Sequence, residues 1–120
     1  MVLVDTSVWV AHLRRGDPRL AVLLGAAEVL CHPFVVGELA CGNLSNRGEI
    51  LDLLAALPSI GKADDEEILR FIERNRLQGR GLGMIDMHLL ATCALARTPL
   101  WTLDARLGQA AAELGVGGKA

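Results

Sequence analysis

MVLVDTSVWV, at Met1–Val10, is an apolar run that breaks at one carboxylate, Asp5, and then resumes. A strand buried on both faces of a parallel sheet reads this way, because helices cover both sides and no alternate position faces water. The run therefore predicts a strand over Val2–Asp5. Thr6 is placed to cap the helix that follows, with Val10 and Leu13 turned inward.

Outward from that stretch, helix and strand signals alternate. Asp17 and Pro18, a capping acid and a residue suited to the first helical turn, open a helix through Leu20, Val22, Leu23 and Leu24 that ends over Gly25–Ala27. Glu28–Cys31 reads as a second strand, and Pro33 begins a helix running to about Cys41. Ser45 is the expected cap of a helix Gly48–Leu57, whose Ile50, Leu51, Leu54 and Leu57 recur at helical spacing. A short strand at Ser59–Ile60 follows. Asp64 and Asp65 open a helix with an apolar face of Ile68, Leu69, Phe71 and Ile72. Gly79, Gly81 and Gly83 break it as a flexible turn; they lack the Lys of a phosphate-binding loop. Met84–Ala96 reads as helix, Thr98–Thr102 as strand, Asp104 to about Leu114 as helix, and Val116 as an edge strand. Alternation of this kind implies an α/β fold, a three-layer α/β/α sandwich with a central parallel sheet.

With 120 residues, 52% of them hydrophobic, and no linker-like stretch, the chain is expected to form a single domain over 1–120 with one core. A core of that size needs neither disulfides nor a structural metal. Cys31, Cys41 and Cys93 are odd in number and show no CxxC spacing, which favours reduced thiols in the cytoplasm. The first residues lack the basic and long apolar regions of a signal peptide, and no apolar run is long enough to span a bilayer. A formal charge of −2 argues at first sight against nucleic acid as a partner. Distribution decides that question, because acids gathered at one site leave a more basic surface elsewhere.

Asp5 lies at the carboxyl end of the first strand and Asp104 just beyond the strand Pro99–Thr102, the edge at which open parallel sheets bind ligands. Glu38 stands on the helix after the second strand, and Asp86 opens a helix entered through the glycine turn. Each acid is flanked by apolar residues, an uncommon setting for surface decoration. Singly, each has a plain alternative. Asp5, Asp86 and Asp104 could cap helices or answer the helix dipole, and Glu38 could pair with an arginine. Gathered in one crevice, they would repel one another unless a cation compensates them. An all-oxygen donor set selects a hard ion, Mg²⁺ with Mn²⁺ as a substitute, and the matching chemistry is phosphodiester hydrolysis with one ion or two.

Four blocks occur in order: VDTSVWV at Val4–Val10, PFVVGEL at Pro33–Leu39, GMIDMHLLATC at Gly83–Cys93 and LWTLDARL at Leu100–Leu107. Together they resemble the PIN-domain nucleases, and specifically VapC-type toxins, over nearly the whole chain. The resemblance implies a Mg²⁺-dependent endoribonuclease with an acidic quartet at Asp5, Glu38, Asp86 and Asp104, and Thr6, Ser7 and Thr102 as polar neighbours. It also implies a VapB-like antitoxin whose tail occupies the active-site groove, a homodimer, and tRNA or rRNA as substrate. Family members often carry a further acid or Asn two to four residues after the last Asp. Here Ala105, Arg106, Leu107 and Gly108 follow, which leaves open whether a fifth ligand exists.

Arg14, Arg15, Arg70, Arg74, Arg76 and Arg80 are candidates for contact with RNA phosphates or antitoxin acids. Pairing along a helix, as between Glu66 and Arg70, accounts for part of that cluster. His12, His32 and His88 make no zinc spacing, and His88 falls on a different helical face from Asp86. Trp9 and Trp101 are expected in the core. The leucine-rich stretch Leu44–Leu57 is ordinary packing by default, or a partner surface. Three rivals remain: a phosphatase or phosphotransferase using Asp5 as nucleophile, which would want an acid where Ser7 stands; a catalytically silent PIN-fold protein-binding module; and cleavage of DNA, which the metal chemistry does not distinguish from that of RNA.

Overall fold

Three short parallel strands carry the fold: β1 (Val2–Val4), β2 (Val29–Leu30) and β3 (Leu100–Trp101), in the order β2-β1-β3. The computed structural model describes residues 1–118, so the last positions of the expected 1–120 domain lie outside the described residues. Among the described residues seven helices complete it: α1 (Thr6–Arg15), α2 (Pro18–Gly25), α3 (Pro33–Cys41), α4 (Arg47–Ala56), α5 (Asp65–Arg74), α6 (Met84–Ala96) and α7 (Ala105–Glu113). Isolated parallel bridges, Cys31 with Ser59 and Leu100 with Gly117, extend the ladder at its two edges.

From β1 the chain steps to β2 and then to Ser59, moving one way across the sheet; from there it returns past β1 to β3 and Gly117, moving the other way. Right-handed crossovers put the first group of helices on one face and the second on the opposite face. Packing agrees with that rule. α1 contacts α3 and α3 contacts α4, while α5 contacts α6 and α6 contacts α7. The result is the expected α/β/α sandwich.

β1 is central, and Val2, Leu3 and Val4 are all buried, as its unbroken apolar run requires. α6 is the most enclosed helix, with every residue from Met87 to Cys93 buried. Trp9 and Trp101 lie in the core. Cys31 and Cys93 are buried free thiols, raised by burial to about 11 and about 12, and Cys41 is an exposed one. Among the described residues no helix is long and apolar enough to cross a membrane.

Several local expectations are corrected. Asp5, not Thr6, caps α1. The helix turns Val8 and Trp9 into the core, leaving Val10 half-buried and Leu13 exposed. Val22 of α2 is exposed as well; only Leu20 is buried there. Ser45 caps nothing: α4 starts after Asn46, whose backbone is left-handed (φ 53°) and whose side chain makes no capping bond. The strand expected at Ser59–Ile60 reduces to a single bridge at Ser59, the edge strand expected at Val116 to one at its neighbour Gly117, and those over Glu28–Cys31 and Thr98–Thr102 shrink to two residues each. Asp17 caps α2 as expected. Of the two acids expected at the start of α5, Asp64 proves to be its N-cap, in a reciprocal capping box with Glu67, and Asp65 its first residue.

Candidate active site

The chain leaves β1 towards one face and β3 towards the other, so the carboxyl ends of these neighbouring strands open into a crevice. Asp5 and Asp104 are the residues that follow the two strands closely, each as the N-cap of the next helix. The Asp5 N–H donates to the Trp101 carbonyl at 2.9 Å, which fixes the start of α1 against the end of β3.

Asp5 is only 6% exposed. Its Oδ2 accepts from the Ser7 hydroxyl at 2.7 Å, the Thr102 hydroxyl at 2.7 Å and the Ser7 N–H at 3.4 Å. Each hydroxyl has one hydrogen, and both spend it on Asp5. Their oxygens then accept backbone N–H groups from the turn after β3: Ser7 Oγ from Leu103 at 2.9 Å, Thr102 Oγ1 from Asp104 at 3.0 Å. A buried carboxylate, two hydroxyls and two peptide groups thus lock one network.

The other three acids are held at one oxygen each. Asp104 Oδ1 accepts from the Arg106 and Leu107 N–H groups at 2.9 and 3.1 Å. Asp86 Oδ2 accepts from Gly83 N–H at 3.0 Å, which closes the first turn of α6. Glu38 Oε1 accepts from the Thr6 hydroxyl at 2.6 Å, tying α3 to α1 beside Asp5. For all four acids, no described residue donates to the second carboxylate oxygen.

Burial first, and then the negative charges of Asp5 and Asp104, push the Asp86 carboxyl above its ordinary range; the Gly83 N–H pulls the other way. Asp5, Asp86 and Asp104 therefore share one electrostatic neighbourhood. Glu38 meets it through Thr6. Among the described residues, no three His, Cys, Asp or Glu side chains are grouped so as to hold an ion as they stand.

A groove of about 480 Å³ begins at Thr6 and Glu38 and runs past Val10, Leu13 and Arg14 to Leu44, Asn46 and Ile50. Of the arginines read from the sequence, Arg14 lines that groove. Arg80 is committed to Glu113 through two 2.8 Å bonds, and Arg70 stands 3.7 Å from Glu66. Arg15, Arg74 and Arg76 are exposed, and the structure gives none of them an ion pair among the described residues. His88 packs away from the acids, against Phe34 and near His32. Arg106, to which the sequence reading gives no role, stands in the first turn of α7, where the helix dipole disfavours a cation.

A model of the PIN domain matches residues 2–113. Ribonuclease VapC32 of Mycobacterium tuberculosis, in strain CDC 1551 / Oshkosh and in strain ATCC 25618 / H37Rv, is 51% identical to this chain over 117 residues, covering 97% of the chain and 94% of the relative.

Proposed function

This chain belongs to the PIN-domain family, in its VapC-type branch, and on that premise we propose that it is a Mg²⁺-dependent endoribonuclease, the toxin of a toxin–antitoxin pair. One observation carries the metal-dependent part of this reading. Asp5, Glu38, Asp86 and Asp104 each have one oxygen fixed by a protein donor and a second to which no described residue donates. Oxygen-only donors of this kind suit a hard divalent ion, and Mg²⁺ keeps several waters and needs few direct carboxylates, so a closed protein cage is not required.

Bound at these acids, Mg²⁺ or Mn²⁺ would supply an activated water and neutralise charge that develops on the phosphate. The protein's own contribution is orientation. Ser7 and Thr102 hold Asp5, Gly83 N–H holds Asp86, the first turn of α7 holds Asp104, and Thr6 holds Glu38. Hydrolysis adds water across one phosphodiester P–O bond, and the excess of acids around Asp86 repels a bare phosphate until the ion is present. The substrate is RNA of the tRNA or rRNA class. A VapB-like antitoxin silences the site by laying its tail in the groove, where Leu13, Leu44 and Ile50 offer apolar contact and Arg14 a cation.

Purified protein incubated with total RNA tests this reading. Cleavage with Mg²⁺ or Mn²⁺, lost in EDTA and lost in Asp86→Asn, is the expected result. Equal RNA recovery with wild type, Asp86→Asn and EDTA would overturn it in favour of a silent binding module. Equal cutting of DNA would overturn the ribonuclease assignment alone.

A further inference from the structure

We propose that Arg106 is a phosphate-binding residue of this site, an inference that rests on the RNA-cleaving function above. Arg106 is the second residue of α7, after the N-cap Asp104. A cation in that turn opposes the helix dipole, so helix physics does not explain its presence. Nor does an ion pair. Among the described residues, no carboxylate stands within pairing distance of Arg106, whereas Arg80 nearby in sequence to the same loop is saturated by Glu113.

Where its side chain goes is recorded by Gly81. A Cβ built on Gly81 would lie 2.5 Å from Arg106 Nη1 and 3.1 Å from both Cδ and Cζ. The guanidinium therefore rests on the bare backbone of the glycine turn, in space that any side chain there would fill. Gly81 is doubly constrained, because its φ of +77° also disfavours other residues. Two residues further on, Gly83 N–H holds Asp86, and the Arg106 N–H itself holds Asp104. Arg106 thus spans the two segments that position Asp86 and Asp104.

A guanidinium has five N–H donors in a fixed fork that matches phosphate oxygens two at a time. No described residue accepts from the Arg106 side chain, so its fork is open on the glycine turn that leads into Asp86. RNA phosphate fits this position better than an antitoxin carboxylate, because Arg106 stands two residues from Asp104, where the scissile phosphate must come. Once the phosphate is seated, the fork holds the backbone in register with the acids.

The test is a salt series of binding to a single-stranded RNA oligonucleotide, measured by anisotropy in EDTA, for wild type, Arg106→Ala, Arg106→Lys and Gly81→Ala. Arg106→Ala should lower the magnitude of the log affinity against log salt slope by about 0.7, the signature of one lost phosphate contact on a single strand. In Mg²⁺ it should raise KM roughly 10-fold, the loss of one charged hydrogen-bonding group. Arg106→Lys should restore the slope while recovering only part of the affinity. Gly81→Ala should weaken binding by displacing the guanidinium, and add nothing further on the Arg106→Ala background.

A folded Arg106→Ala protein with the wild-type slope and KM would overturn the proposal and leave Arg106 as packing for the turn. Loss of binding to an acidic peptide with the RNA slope unchanged would overturn it in favour of a protein partner. If wild type itself neither binds nor cuts RNA, the functional reading falls, which is a separate result from failure of Arg106 in an active enzyme.

Discussion

Thr102→Val removes a hydroxyl and little else, since valine keeps the shape of threonine. Two bonds go with it: the 2.7 Å donation to Asp5 Oδ2 and the 3.0 Å acceptance from Asp104 N–H. The first is a hydroxyl to a carboxylate only 6% exposed, which water replaces poorly, and bonds of that kind contribute about 1.5–3 kcal/mol. The second is at an exposed residue, where water substitutes at small cost. Ser7 Oγ still donates to Asp5, so the carboxylate is not orphaned and the loss falls near the low end, about 2 kcal/mol. In a domain of this size, that corresponds to a fall in Tm of roughly 8 °C. Thermal and urea melts in EDTA measure it. Thr102→Ser keeps the hydroxyl and loses only a methyl group that lies near Gly108, so it should drop by about 1 kcal/mol or less. A valine variant within about 0.5 kcal/mol of wild type, or a serine variant as damaged as the valine one, would refute the network as the anchor of Asp5.

Further outcomes follow from the same geometry. Asp86→Asn keeps an oxygen for Gly83 N–H and removes a charge that burial and Asp5 and Asp104 disfavour, so it should melt no lower than wild type while cleavage falls roughly 100-fold or more. Expression of wild type should arrest growth, and that variant should relieve the arrest. Thr6→Val frees Glu38 without touching the core, so kcat should fall several-fold with Tm nearly unchanged, as turnover and melting curves would show. EDTA should abolish cleavage yet leave the far-UV circular dichroism intact, with Mg²⁺ or Mn²⁺ restoring activity. Burial, then the charges of His88 and Lys62, lowers His32 from 6.5 to about 4, so the unfolded chain binds a proton that the folded chain refuses between those values. Stability is fully present above pH 6.5 and is lost as pH falls towards 4, by roughly 3 kcal/mol. His32→Asn retains an acceptor for Phe34 N–H and should flatten that decline in urea melts across the window.

Legibility in the sequence followed the range of the interaction. β1 was readable because burial on both faces leaves an unbroken apolar run, α2 because Asp-Pro is a local signal of a capped start, and α5 because paired acids before an apolar face suit the positive end of a helix. The start of α1 was misread by one residue, since Asp5 and Thr6 are both good caps and adjacent; only the Trp101 carbonyl, far along the chain, selects Asp5. Asn46 escaped notice because its left-handed backbone, without a side-chain bond, sets the start of α4. Two-residue strands lie below the length at which periodicity carries information. Arg80 and Glu113, 33 positions apart, meet only in the fold, as do Arg106 and Gly81.

Capping and metal ligation stood as rival readings of the acids, and the hydrogen bonds give a reason to join them. A cap needs one acceptor oxygen, and a carboxylate has two. At Asp5, Asp86 and Asp104 the helix start consumes one oxygen, and in doing so it fixes the plane of the carboxyl group and the direction of the other. A carboxylate on a free rotamer would lose conformational entropy on meeting a cation; one already locked by its helix has lost it during folding. The helix dipole then offsets part of the repulsion among neighbouring acids, because each of these three lies at the positive end of its own helix. Mutations that spare the charge but free the side chain, such as Thr102→Val at Asp5, should therefore weaken activity through orientation, and they separate positioning from ligation in a way that removing the acids cannot.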